Sequence, residues 1–203
     1  MTKLLINLFV KDRENVTDPT VRRRYAMLAS ITGIVLNLLL FAGKLSVGIL
    51  AVSVAVIADA FNNVSDAGSS VITLIGFRLS GKHEDKRHPW GHGRLEYVSA
   101  FIVDMLIILV GAELLKSSVD KIIHPELPAV SAATIVLLVV AILVKLWLFL
   151  FYRKIGALIN SSAIKAASFD SISDTVATTL VLVSALIGKF AGVGIDGWAG
   201  IFV

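Results

Sequence analysis

The 203-residue chain has no cysteine, only four prolines and four histidines, and charged side chains at just 17% of positions. Without cysteine there is no disulfide framework, thiolate metal site or thiol nucleophile, so any bound metal must be held by oxygen or imidazole ligands. The scarcity of charge excludes a disordered chain. Hydrophobic residues make up 56% of the sequence and the mean hydropathy is +0.84, which excludes an ordinary soluble enzyme. The formal net charge is +4, but the basic residues sit in the links between long apolar runs, which speaks against a nucleic-acid partner. No glycine-rich nucleotide loop is present to suggest ATP-driven work, and no residue takes an enzymatic role.

What is present is a set of apolar segments near the ~20 residues needed to cross a bilayer as a helix. They run over 27–51, 54–79, 97–115, 130–152 and 161–187, with a sixth that begins at Ile195 and stops with the chain at Val203. The pattern predicts an all-α, polytopic membrane helix bundle. Residues 1–25 precede it as an N-terminal segment in which Leu4, Leu5, Leu8 and Phe9 form the apolar side of a surface helix, or of a frayed tail. The first run is too deep and too long for a cleaved signal peptide. Of the basic residues other than Lys44 and Lys145, fourteen fall on one side and three on the other, among them Arg22 to Arg24 before the first span and Lys82, Lys86 and Arg87 after the second. By the positive-inside rule the N-terminus is expected in the cytoplasm of a multi-pass cell-membrane protein.

Several charges interrupt the runs. A carboxylate within a membrane span is expensive and marks a functional hypothesis. Asn62 and Asp66 are four residues apart, and Asp170 and Asp174 repeat that spacing, so each pair lies on one helix face. If the faces meet, three carboxylates and one amide carbonyl converge, an arrangement that needs a cation or protons to exist in hydrocarbon. The alternative is polar adhesion between helices, for which like charges are poor agents. Asp59 and Asn63 flank the first pair and read equally well as structural hydrogen-bonding groups. All four site groups are hard oxygen donors, which suit Mn2+ better than Zn2+. Asp104, Glu113 and Lys145 also lie inside runs, and read as linings of a wet cavity or as side chains snorkelling to the interface.

Three of the four histidines fall between the second and third runs, in the stretch from Lys82 to Arg94. Asp85, His88 and His92 have a spacing that can close around a metal, with Glu96 one turn further on as a supporting partner. Pro89, Gly91 and Gly93 make the stretch a turn, and the same residues also read as a solvated loop capping the third span.

These segments together resemble the cation diffusion facilitator family of divalent-metal/proton antiporters, from Gly43 to the end of the chain. The resemblance is carried by the stretches Lys44 to Gly48, Ala58 to Asp66, His88 to Glu96 (the pattern HPxGHGRxE) and Asp170 to Asp174, in that order. It implies a transport site on Asn62, Asp66, Asp170 and Asp174, and a second site on Asp85, His88 and His92. Zinc-transporting members usually carry a histidine at the position of Asn62 or Asp170, so this set looks like the manganese-type branch. The resemblance further implies proton-coupled efflux of a divalent cation, Mn2+ foremost and Zn2+ or Fe2+ as alternatives, with no prosthetic group. Six spans, a homodimer in the lipid bilayer and a cytoplasmic C-terminal domain of ferredoxin-like form are also implied. Against that pattern the transmembrane domain is expected to occupy residues 26–203, with the sixth span truncated and the cytoplasmic domain absent. A membrane metal sensor or scaffold, and a passive channel, are the rival functions.

Overall fold

The computed structural model describes residues 2–10, 14–79, 93–125 and 127–203. Among them the regular structure is entirely α-helical: α1 Thr2–Phe9, α2 Pro19–Ala51, α3 Val54–Leu79, α4 Gly93–Ile123, α5 Ala132–Leu158, α6 Ser162–Ala191 and α7 Asp196–Phe202. Three of these, α2, α5 and α6, are long and apolar enough to cross a membrane. α3 is 26 residues long and carries Asp59, Asn62, Asn63 and Asp66 in its first half. α4, at 31 residues, begins earlier and ends later than the 97–115 run that hydropathy marks out.

Local chemistry sets the helix ends. Asp18 accepts the Thr20 amide at 2.7 Å and Pro19 fills the first helical position of α2, where its missing N–H costs nothing. The Thr20 hydroxyl and amide hold the Asp18 carboxyl below its ordinary range. Ser131 and Ser161 cap α5 and α6 by accepting the amides of Thr134 and Ile164. α6 ends at Gly192, whose φ of +65° is the left-handed conformation that glycine adopts without steric penalty.

α2 packs against α3 and α5, α5 against α6, and α3 also touches α4, α6 and α7. Two separate apolar clusters result. One joins Val21, Tyr25 and Leu28 of α2 with Leu148, Phe151 and Ile155 of α5, and takes in Ile6 of α1. The other joins Ala55 and Val56 of α3 with Leu138, Val181 and Ala199 from α5, α6 and α7. Meanwhile the outer faces carry exposed Val35, Leu39, Leu50, Leu143, Val183 and Phe190. Large apolar groups outside and charged groups inside invert the usual order, as expected of a bundle whose solvent is hydrocarbon. In α1, Leu4, Leu8 and Phe9 are exposed while Ile6 is buried against the bundle.

One close approach depends on a missing side chain. A Cβ placed on Gly33 of α2 would lie 1.9 Å from the Tyr152 hydroxyl of α5, so only glycine leaves room for that phenol.

Candidate functional site

α3 and α6 bring their paired residues together in the middle of the bundle. The Asn62 side-chain amide donates to Asp174 Oδ1 at 2.5 Å, joining the two helices directly. Lys145 of α5 reaches the same place: its Nζ lies 2.6 Å from Asp66 Oδ2 and 2.5 Å from Asp174 Oδ2. Its side chain is only 1% exposed, so the lysine does not snorkel. Of the two roles its position left open, that excludes snorkelling and leaves the lining of a cavity, whose wall Lys145 joins. A four-carbon stem placed mid-helix cannot reach either interface, and two acids within reach satisfy the ammonium internally.

Asp170 is exposed and lies one turn along α6 from Asp174. It shares with Asp66, Asp174, Lys145 and Asn37 the wall of a cavity of about 240 Å³. The cavity runs along α6 toward its first turn, where Ala163 and Ile164 contribute, and is further bordered by Ser30 of α2 and Ser70 of α3. Thus the structure joins Asn62, Asp66 and Asp174 through hydrogen bonds and the lysine bridge, and sets Asp170 beside Asp66 and Asp174 in the cavity wall. Among the described residues no three acidic or imidazole side chains form a ready metal cage. Asp85, His88 and His92 lie outside the described residues, as do the side chains of Glu96 and Asp104. Glu113 is exposed on α4.

On the side away from this cavity lies a second charged layer. Lys44 of α2 pairs with Asp59 Oδ2 of α3 at 2.8 Å, and both side chains are essentially inaccessible. Lys44 also donates to the Thr178 hydroxyl at 3.0 Å, which in turn donates to Asp59 Oδ1 at 3.0 Å. Asn63 donates to the Asp59 carbonyl oxygen at 2.9 Å. Both flanking residues therefore serve as structural polar groups, one of the two roles left open by their positions. Beyond this layer Asp196 of α7 accepts the Ser53 hydroxyl at 2.5 Å and the Val54 amide at 2.8 Å, with Lys121 of α4 at 3.4 Å. Lys121 also donates to the Val52 carbonyl. The carboxylate thereby caps the start of α3.

Sequence reasoning missed Lys44 and Lys145 as partners. The signal available was their depth, since both stand well inside apolar runs that face other runs rich in aspartate.

The half-buried Asp66 and the buried Asp174 thus face a cavity inside a helix bundle of which three helices are long and apolar enough to cross a membrane. The chain belongs to the cation diffusion facilitator family: the family's cation efflux transmembrane domain matches residues 30–203. It is 31% identical over 168 residues to the manganese efflux system protein MneP of Bacillus subtilis, covering 82% of this chain and 54% of that one. Over 173 residues it is also 31% identical to an uncharacterized transporter of Methanocaldococcus jannaschii, covering 85% and 61%. The magnetosome protein MamB of Paramagnetospirillum magneticum is 31% identical over 147 residues, covering 72% and 49%. The chain therefore spans between about half and three-fifths of the length of these relatives.

Proposed function

We propose that the chain is the membrane-embedded part of a proton-coupled exporter that moves a divalent cation, foremost Mn2+, out of the cytoplasm by alternating access. The observation that carries this reading is the meeting of Asp66 and Asp174, with Asn62, at the head of a polar cavity in the bundle interior. Asp66, Asp170 and Asp174 bind the ion as carboxylates, and Asn62 contributes its carbonyl oxygen without a further negative charge. Hard oxygen donors favour Mn2+ over softer metals. The similarity to the manganese efflux system protein MneP supports that choice. Protons compete with metal for the same carboxylate lone pairs, so exchange of one for the other follows from the ligand set.

With the N-terminus in the cytoplasm, the cavity faces the cytoplasm and the Lys44, Asp59 and Thr178 layer lies on its outer side. The ion then enters along the first turns of α6, and rocking of the helices about the site exposes it to the opposite face. A homodimer of six-span subunits, and a second metal-binding site on Asp85, His88 and His92, complete this reading.

Transport by the intact protein in proteoliposomes tests it. Asp66→Ala is expected to abolish Mn2+ uptake and the accompanying proton movement, whereas unchanged Mn2+ flux would place the site elsewhere. Asp170→His is expected to shift preference toward Zn2+, and unaltered selectivity would defeat the argument from ligand hardness.

A further inference from the structure

Lys145 holds two of the oxygens that the proposed site offers to its ion. A divalent cation sits roughly 2.0–2.6 Å from carboxylate oxygens that ligate it. The Lys145 Nζ lies 2.6 Å from Asp66 Oδ2 and 2.5 Å from Asp174 Oδ2. The ammonium and a metal ion therefore claim the same volume, and the same two oxygens cannot serve both at once. Lys145 is 1% exposed, so the overlap occurs where water screens charge poorly.

We propose that Lys145 is a tethered competitor for the transported ion, a selectivity-determining residue that admits divalent cations and turns away monovalent ones. The inference rests on the transport site proposed above. A monovalent ion that displaces the ammonium replaces one unit charge with another and gains nothing in attraction to the carboxylates. A divalent ion roughly doubles that attraction at equal distance, and so can displace the lysine. The displaced ammonium stays within the cavity, where Asn37 of α2 supplies an acceptor. Asn37 is 3% exposed, borders the same cavity as Lys145, and its side-chain oxygen accepts no hydrogen bond among the described residues. Competition also weakens metal binding, which assists release, since an ion held too tightly is not passed on.

The consequence is opposite to that of a purely structural lysine. If the lysine-free arrangement is held by one molecule in ten or fewer, the apparent Kd for metal is raised roughly tenfold or more over its intrinsic value. Mn2+ binding to the intact protein, by isothermal titration at fixed pH in low and high KCl, reads this directly for wild type, Lys145→Met, Lys145→Gln, Lys145→Arg and Asp174→Ala. Lys145→Gln keeps a hydrogen-bond donor for the carboxylates and serves where the methionine variant does not fold. Removing the ammonium is expected to tighten Mn2+ binding by about tenfold, and to make it newly sensitive to K+. Lys145→Arg, which keeps the charge, is expected to stay weak and insensitive to K+. Unchanged or weaker binding by the neutral variants, with no K+ sensitivity, overturns the role of Lys145 while leaving the site intact. Failure of wild type to bind Mn2+, or unaltered binding by Asp174→Ala, overturns the transport site itself.

Discussion

Lys44 and Lys145 each stand inside an apolar helix and are each neutralised by acids from other helices, and this pairing governs how single substitutions behave. Asp59→Ala would strand the Lys44 ammonium in the bundle interior. The expected cost is about 3–5 kcal/mol, because a buried charge without its partner is far worse than no charge at all. Replacing both together, Lys44→Met with Asp59→Leu, is expected to recover most of the loss, and thermal unfolding in detergent measures the difference. Gly33→Ala drives a methyl group into the Tyr152 hydroxyl and is expected to cost about 1–3 kcal/mol through forced displacement. Adding Tyr152→Phe removes the atom 1.9 Å away and should relieve most of it.

At this scale the acids were legible and their cations were not. The four-residue spacing of Asn62 with Asp66 and of Asp170 with Asp174 places each pair on one face from sequence alone. Lys145 lies 79 residues from Asp66 and 29 from Asp174, and no local periodicity records a contact of that kind. Depth was the overlooked guide: a lysine near the middle of a span has no interface within reach of its stem.

Among elements, α7 has a task its short length conceals. Its first residue, Asp196, receives the Val54 amide and the Ser53 hydroxyl, so one helix supplies the N-terminal cap of another. Asp196→Ala is expected to destabilise the start of α3 by about 1–2 kcal/mol, the usual cost of losing a cap. Hydrogen exchange should show this as faster exchange at Val54 to Ile57, while Asp196→Asn keeps an acceptor and should stay near wild type. Hydropathy found the helices but misplaced several ends. α4 extends beyond its apolar run at both ends because charged residues, Arg94 and Glu96 before it and Lys116, Asp120 and Lys121 after it, end the hydropathy signal without ending the helix. Conversely, the start of α2 was written in Asp18 and Pro19, a cap followed by a residue already fixed in helical φ.

Across the whole molecule, the cavity opens along the first turns of α6, and the Lys44, Asp59 and Thr178 layer lies beyond its closed end. The lack of cysteine makes this asymmetry measurable, since one introduced thiol is then the only one present. Ala166→Cys, on the exposed wall of the cavity, is expected to react with a membrane-impermeant thiol reagent applied from the side where α6 begins, and to be protected by Mn2+. Thr178→Cys, fully buried in the second layer, is expected to resist the reagent from that side. Equal labelling of both would mean that the second layer does not close the cavity. The inverted arrangement, with apolar surface outside and charge inside, was legible from composition. Which side the cavity opens toward was not, because that depends on helices meeting at an angle no single segment encodes.

The length of α2 has a mechanical consequence. Its apolar part from Met27 to Ala51 covers 25 residues, about 37 Å at ~1.5 Å per residue. A bilayer's hydrocarbon is only ~30 Å thick. The surplus of about 7 Å exceeds one helical turn of ~5.4 Å. Moving together with α3, so that the buried Lys44–Asp59 pair stays closed, α2 can therefore shift by a full turn before Arg24 is drawn into the oily layer, with its own apolar stretch still filling the hydrocarbon. Bilayers thick enough to consume that slack are expected to slow turnover without weakening metal binding, a separation that reconstitution into lipids of increasing acyl length would measure.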